Sequence, residues 1–142
     1  MKGRKIDFLA MWGAGLSTLL AGVKLWELWR NHFRVEVSYN FTGSQEEGHE
    51  IYVRNLNNRP ITLEHWELEW RYGEWPSIKS DLIAMAEDFS AGRKIEAYDS
   101  TTLRFINEYY FSMRPVSNGK TLYIKLHFVG KKRPITMKVY SN

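Results

Sequence analysis

The stretch that most constrains this chain is FLAMWGAGLSTLLAGVKLWELW, Phe8 to Trp29, in which no charge occurs before Lys24. As a helix, its uncharged part, Phe8 to Val23, rises about 24 Å at about 1.5 Å per residue. That falls short of the roughly 30 Å hydrocarbon core of a bilayer. The flank supplies the rest. Lys24 can carry its ammonium to the headgroups along its own methylenes, while Leu25, Trp26, Leu28 and Trp29 continue the apolar surface. Trp26 and Trp29 then fall where interfacial aromatics are favoured. The stretch is therefore expected to be a membrane anchor, with Lys24, Trp26 and Trp29 at the interface.

Two other readings fit less well. A basic start at Lys2, Arg4 and Lys5 suits a cleaved signal peptide. The cleavage pattern is missing, however: before Ala21 and Gly22, the outer small position is taken by Leu19 and Leu20. A helix docked on protein would have to bury nearly its whole circumference, and one lying in the interface would need a polar face. Ala10, Ala14, Thr18 and Gly22 recur at steps of four, which puts small side chains on one ridge. Such ridges let helices approach closely in lipid, where packing drives association. Orientation is balanced by charge, because Lys2, Arg4 and Lys5 precede the run and Lys24, Arg30 and Arg34 follow it.

The 113 residues after Trp29 suffice for one sandwich-sized domain. The expected division is an N-terminal hydrophobic helix over 1–32 and a β domain over 33–142. Aromatic residues form 15% of the chain, enough to build a compact core and to exclude disorder. The absence of cysteine excludes disulfides, thiol nucleophiles and cysteine-based metal sites. The net charge is +4, and residues 1–29 carry half of it, so the β domain is too even in charge to predict nucleic-acid binding.

After the helix the period becomes two. Val35, Val37 and Tyr39 alternate with polar residues, HEIYVRN (His49 to Asn55) is a second strand, and NLNNRP is a turn. ITLEHWELEW (Ile61 to Trp70) is a long strand. It should place Trp66, Leu68 and Trp70 inward, and His65, Glu67, Glu69 and Arg71 on a solvated face. Residues 77–86 fit a strand or a short helix, SAGRK is a loop, STTLRF is a strand, and INEYYFSM fits a helical turn. TLYIKLHF and ITMKVY close the sheet. About seven short strands at regular spacing predict an immunoglobulin-like antiparallel β-sandwich, with a closed barrel as the rival. Only Arg30, Asn31 and His32 separate helix from strand, so the domain is expected near the membrane.

The segments VKLWELWRNHFRVEVSYNFT, HEIYVRNLNNRPITLEHWELEW and LYIKLHFVGKKRPITMKVY resemble a family of small bacterial proteins with one N-terminal hydrophobic helix and an immunoglobulin-like β-sandwich. The resemblance implies that architecture and a bacterial source; together with the apolar helix, the expected location is the bacterial inner membrane. It implies no activity and carries no functional residue.

Signatures of chemistry are sparse. His32, His49, His65 and His127 lack metal-ligand spacing, although His65 and Glu67 share a face and His127 points outward from another strand. Glu46–Glu47, Glu64–Glu67–Glu69 and Glu87–Asp88 read as solubilising carboxylates. No GxSxG, SxxK or phosphate-binding loop occurs. Neither enzyme, metal nor cofactor is expected. Lys131, Lys132 and Arg133 form a basic loop that can meet lipid headgroups or phosphates. Tyr109–Tyr110–Phe111 should cover the core. The expected function is a membrane-tethered module that binds a protein partner or self-assembles through its helix. The alternatives are a lesion-forming effector oligomerising through that helix, and an anion binder acting through residues 131–133.

Overall fold

The computed structural model describes residues 3–30, 32–87 and 92–142. Lys2, Asn31, Asp88, and Ser90 and Ala91 of the SAGRK loop lie outside the described residues. The chain divides into two compact units, Met1–Phe33 and Arg34–Asn142.

The first unit is helix α1 (Gly3–Arg30). Its segment Asp7–Arg30 has a mean hydropathy of 1.4 and is long and apolar enough to cross a membrane. A signal sequence or a soluble core helix meets the same criterion. Apolar residues surround the axis rather than forming a stripe: Leu9, Met11, Leu19, Leu25 and Trp29 are all exposed. An unmatched apolar surface of this kind is stable only in lipid or against protein.

The second unit is all antiparallel, with eight described strands in two sheets where about seven were expected. The strands are β1 (Val35–Asn40), β2 (His49–Asn55), β3 (Ile61–Tyr72), β4 (Lys79–Met85), β5 (Arg93–Ile95), β6 (Ser100–Phe105), β7 (Thr121–Phe128) and β8 (Ile135–Tyr140). One sheet runs β1-β2-β6 and the other β4-β3-β7-β8, with β5 beside the first residues of β3. The ambiguous segment 77–86 is thus largely strand. INEYYFSM contains a 3-10 turn, Asn107–Tyr109, followed by a short helix α2 (Arg114–Ser117).

Alternation builds the core in β2 and β7. Ile51 and Val53 from one sheet and Leu122, Ile124, Leu126 and Phe128 from the other are buried. Each such side chain contributes roughly 1.5–3 kcal/mol on leaving water. Trp66 of β3 meets Phe105 of β6 edge-on at 5.4 Å, joining the two sheets. Tyr39 of β1 and Tyr140 of β8 do the same elsewhere, at 5.3 Å.

Strand β3 departs from simple alternation. Leu63 lies opposite Phe128 and His65 opposite His127, so Glu64 is an extra residue in the ladder. A bulge of this kind exchanges the faces of the strand. Ile61 and Leu63 point inward before it; Leu68 and Trp70 do so after it. The outer face is also less solvated than expected. Glu69 is only 5% exposed. Arg71 Nε donates to it at 2.7 Å, and Lys125 Nζ stands 3.8 Å away. Neighbouring cations, rather than bulk water, satisfy this carboxylate.

The NLNNRP turn is partly buried. Asn55 Nδ2 donates to the carbonyls of Arg59 (2.8 Å), Ile95 (3.1 Å) and Glu96 (3.1 Å). Its Oδ1 accepts from Asn57 N and Asn57 Nδ2, both at 2.8 Å. Asn57 in turn ties the start of β1, accepting from Arg34 N at 3.0 Å and donating to Arg34 O at 2.9 Å. Two amide side chains thereby satisfy backbone groups from three loops.

Candidate functional site: a cleft beside strand β6

The three-stranded sheet does not cover the whole inner face of the larger one. Beyond the edge of β6 lies a cleft of about 360 Å³. Leu63, Glu64 and Trp66 reach it from the bulged part of β3, and Ala84, Met85, Ala86 and Glu87 from the end of β4 and beyond. Arg93 of β5, Arg104 and Phe105 of β6, and Tyr109 complete the lining. The bulge brings Leu63 and Trp66 to the same cavity, although residues three positions apart in a regular strand point to opposite faces. Trp66, expected in the core, is half-exposed here, whereas Trp70 is buried.

Four polar groups of the cleft, Arg93, Arg104, Tyr109 and Glu87, have partners. Arg93 Nη1 donates to Thr102 O at 3.0 Å, on the outer edge of β6. Arg104 Nε is 3.2 Å from Glu50 Oε1. The Tyr109 hydroxyl donates to the Glu87 carboxylate, and this bond holds the phenol above its ordinary pKa. With these groups engaged, the lining that remains for a ligand is chiefly apolar: Leu63, Trp66, Ala84, Met85 and Phe105. Pockets with an apolar body and a few fixed polar groups are the usual form of a binding site.

The residues singled out from sequence lie elsewhere. Ala10, Ala14, Thr18 and Gly22 are exposed on one ridge of α1, where Thr18 Oγ1 donates to Ala14 O at 2.8 Å. A Cβ added at Gly22 would meet nothing within 4 Å. Lys24 pairs with Glu27 at 3.3 Å, the Arg30 guanidinium lies 5.2 Å from the Trp26 ring centre, and Trp29 is exposed. Lys131, Lys132 and Arg133 are exposed at the β7–β8 turn.

His65 and His127 do meet across β3 and β7, with ring centres 5.4 Å apart and Glu67 Oε1 3.7 Å from His65 Nε2. Even so, among the described residues no group of three His, Asp or Glu side chains is arranged to hold a metal ion. Of the aromatic run, Phe111 is buried, Tyr110 half-buried and Tyr109 exposed at the cleft. Glu64 and Trp66, Glu87, and Tyr109 come from separate stretches of the sequence, which carries no signal that they share a site.

No family model matches the chain, and no curated protein matches it in sequence. Among solved structures, it is similar to part of DesR, a β-glucosidase from Streptomyces venezuelae in complex with D-glucose. The TM-score is 0.32 and the identity 10%, over 77% of this chain and 15% of that one. A protein from Archaeoglobus fulgidus gives a TM-score of 0.28 and 13% identity, over 77% of this chain and 95% of that one.

Proposed function

We propose that the protein is a single-pass protein of the bacterial inner membrane whose immunoglobulin-like β-sandwich is a non-enzymatic module for binding a protein partner. The strand order supports the fold. Taking β1, β2, β3, β6, β7 and β8 as strands A, B, C, E, F and G gives A-B-E on one sheet and C-F-G on the other, as in immunoglobulin-like sandwiches. The short β5, which occupies the D place in sequence, pairs with β3 instead of β6. The cleft opens beside that uncovered edge of β6.

One observation carries the binding reading: a cleft with an apolar floor at whose rim Arg93, Arg104, Glu87 and Tyr109 are each engaged with a neighbouring group. Catalysis by acid or base needs a group held ready for a substrate proton. A binding cleft needs apolar area and fixed geometry, and both are present. The exposed apolar surface of α1 supports the tether, and its small-residue ridge offers a surface for pairing with a second copy in lipid.

The test uses the full chain in bacterial membranes. It should resist carbonate and come out with detergent. A photo-crosslinking residue at Met85 should capture one partner of defined mass, while the same residue at Lys138 should not. Filling the cleft by Ala84→Trp should abolish capture. Extraction by carbonate would remove the tether. Equal capture from Met85 and Lys138, or capture that survives the Ala84→Trp substitution, would remove the cleft as the binding site.

A further inference from the structure

We propose that His49 is an acid-sensitive latch: it holds the β1–β2 loop, residues 41–48, against residues 107–111, and a second ring proton releases the loop and uncovers an aromatic cluster. His49 does not itself line the cleft, although Tyr109 of the segment it holds does. His49 is 1% exposed at the start of β2. Thr42 N–H donates to Nδ1 at 3.2 Å, which requires that nitrogen to be unprotonated. Nε2 lies 2.8 Å from Phe111 O and must carry the hydrogen it donates there. Only the neutral ring with its proton on Nε2 satisfies both bonds. Protonating Nδ1 sets two N–H groups against each other and breaks the bond to Thr42.

Thr42 is the point on which the loop turns. Its Oγ1 donates to Gly48 O at 2.7 Å, and its carbonyl accepts from the Tyr110 hydroxyl at 3.1 Å. Displacing Thr42 therefore loosens both ends of the loop and its tie to residue 110. Phe41, the first residue of the loop, belongs to a cluster of aromatic rings: it stacks on Tyr39 at 4.6 Å and meets Tyr140 edge-on at 5.9 Å and Phe111 at 6.4 Å. Tyr39, Phe41, Met113 and Tyr140 already border a shallow groove.

The surroundings give a cation little help. The rings of Phe41, Tyr110 and Phe111 lie 5.1, 4.5 and 4.7 Å from the imidazole. Tyr110 is the titratable group in contact, and its hydroxyl is committed to Thr42. Across the ladder on β6 stands Phe105. On β2 the neighbouring Glu50 pairs with Arg104. Glu46 and Glu47 of the loop and Glu108 of the 3-10 turn are exposed. Among the described residues no carboxylate forms an ion pair with His49. Burial accordingly pushes its pKa below the ordinary imidazole value of 6.5, against the smaller opposing effect of the Phe111 bond.

The test is a pH titration of the full chain in detergent micelles, from pH 7.5 to 4.5, followed by NMR. The readouts are the His49 ring nitrogens and the exchange protection of the Thr42 amide, corrected for intrinsic rates. At pH 7.5 the ring should be neutral with its proton on Nε2. As it protonates below pH 6.5, Thr42 protection should fall at least tenfold with the same midpoint. In H49Q that protection should be independent of pH. In Y110F, which keeps the imidazole but removes one tie to Thr42, the loop should open at higher pH. Should H49Q fail to fold, the wild-type and Y110F titrations decide. The latch is overturned if His49 protonates while Thr42 stays protected, if H49Q loses protection at the wild-type midpoint, or if Y110F leaves the midpoint unmoved.

Discussion

Replacing Asn55 should reveal how far one buried amide holds the β domain together. Asn55→Ala removes a donor shared by the carbonyls of Arg59, Ile95 and Glu96, and the acceptor used by the Asn57 N–H. Each buried polar group left without a partner costs about 1–3 kcal/mol. Carbonyls can share other donors, and Asn57 Nδ2 keeps its bond to Arg34 O. The loss therefore reduces to about one orphaned N–H and one orphaned carbonyl, or about 3 kcal/mol in all. Over a domain of this size that lowers Tm by roughly 10–15 °C. Thermal unfolding of the full chain in detergent, followed by near-ultraviolet circular dichroism, measures it. Asn55→Asp separates the two halves of the network. It keeps the acceptor for Asn57 but turns an oxygen toward three carbonyls. At pH 7 it should be at least as damaging as Asn55→Ala, and it should recover toward acid, where a protonated carboxyl can donate. If Asn55→Asp matches the wild type at pH 7, the donor side of the network contributes nothing and the reasoning fails.

Other expectations are simpler to check. Leu68→Ala, at a fully buried site, should cost about 2–5 kcal/mol in denaturant unfolding. Gly48→Ala should be far worse than Gly119→Ala: both glycines have positive φ, but only at Gly48 would the new methyl strike Phe105 and Ile106. Stability should decline as pH falls through 6.5, because the unfolded chain takes up the His49 proton before the folded one, and it should level off below the folded pKa. H49Q, where it folds, should flatten that decline. If α1 assembles through its small-residue ridge, Ala14→Leu with Thr18→Leu should abolish crosslinked dimers in membranes while leaving the β domain's melting unchanged.

What the sequence determined alone was whatever depends on neighbours in the chain. The uncharged run before Lys24 makes one apolar helix, because sixteen consecutive residues leave it no polar face. Period-two alternation marks β2 and β7 and assigns their buried faces, because successive side chains of a strand point to opposite sides. Tertiary structure decided what depends on distant partners. Nothing local marks Glu64 as an extra residue; the bulge exists because Leu63 and His65 must both pair with β7. Asn55 reads as a turn residue until the distant carbonyls of Ile95 and Glu96 close on it. Glu69 reads as solvated until Lys125 of another strand approaches it. Both the cleft and the His49 contacts join segments far apart in sequence, so no single stretch contains their pattern. Hydrophobic periodicity selects the elements, while pairing across sheets and loops chooses which polar groups become buried and where a cleft remains.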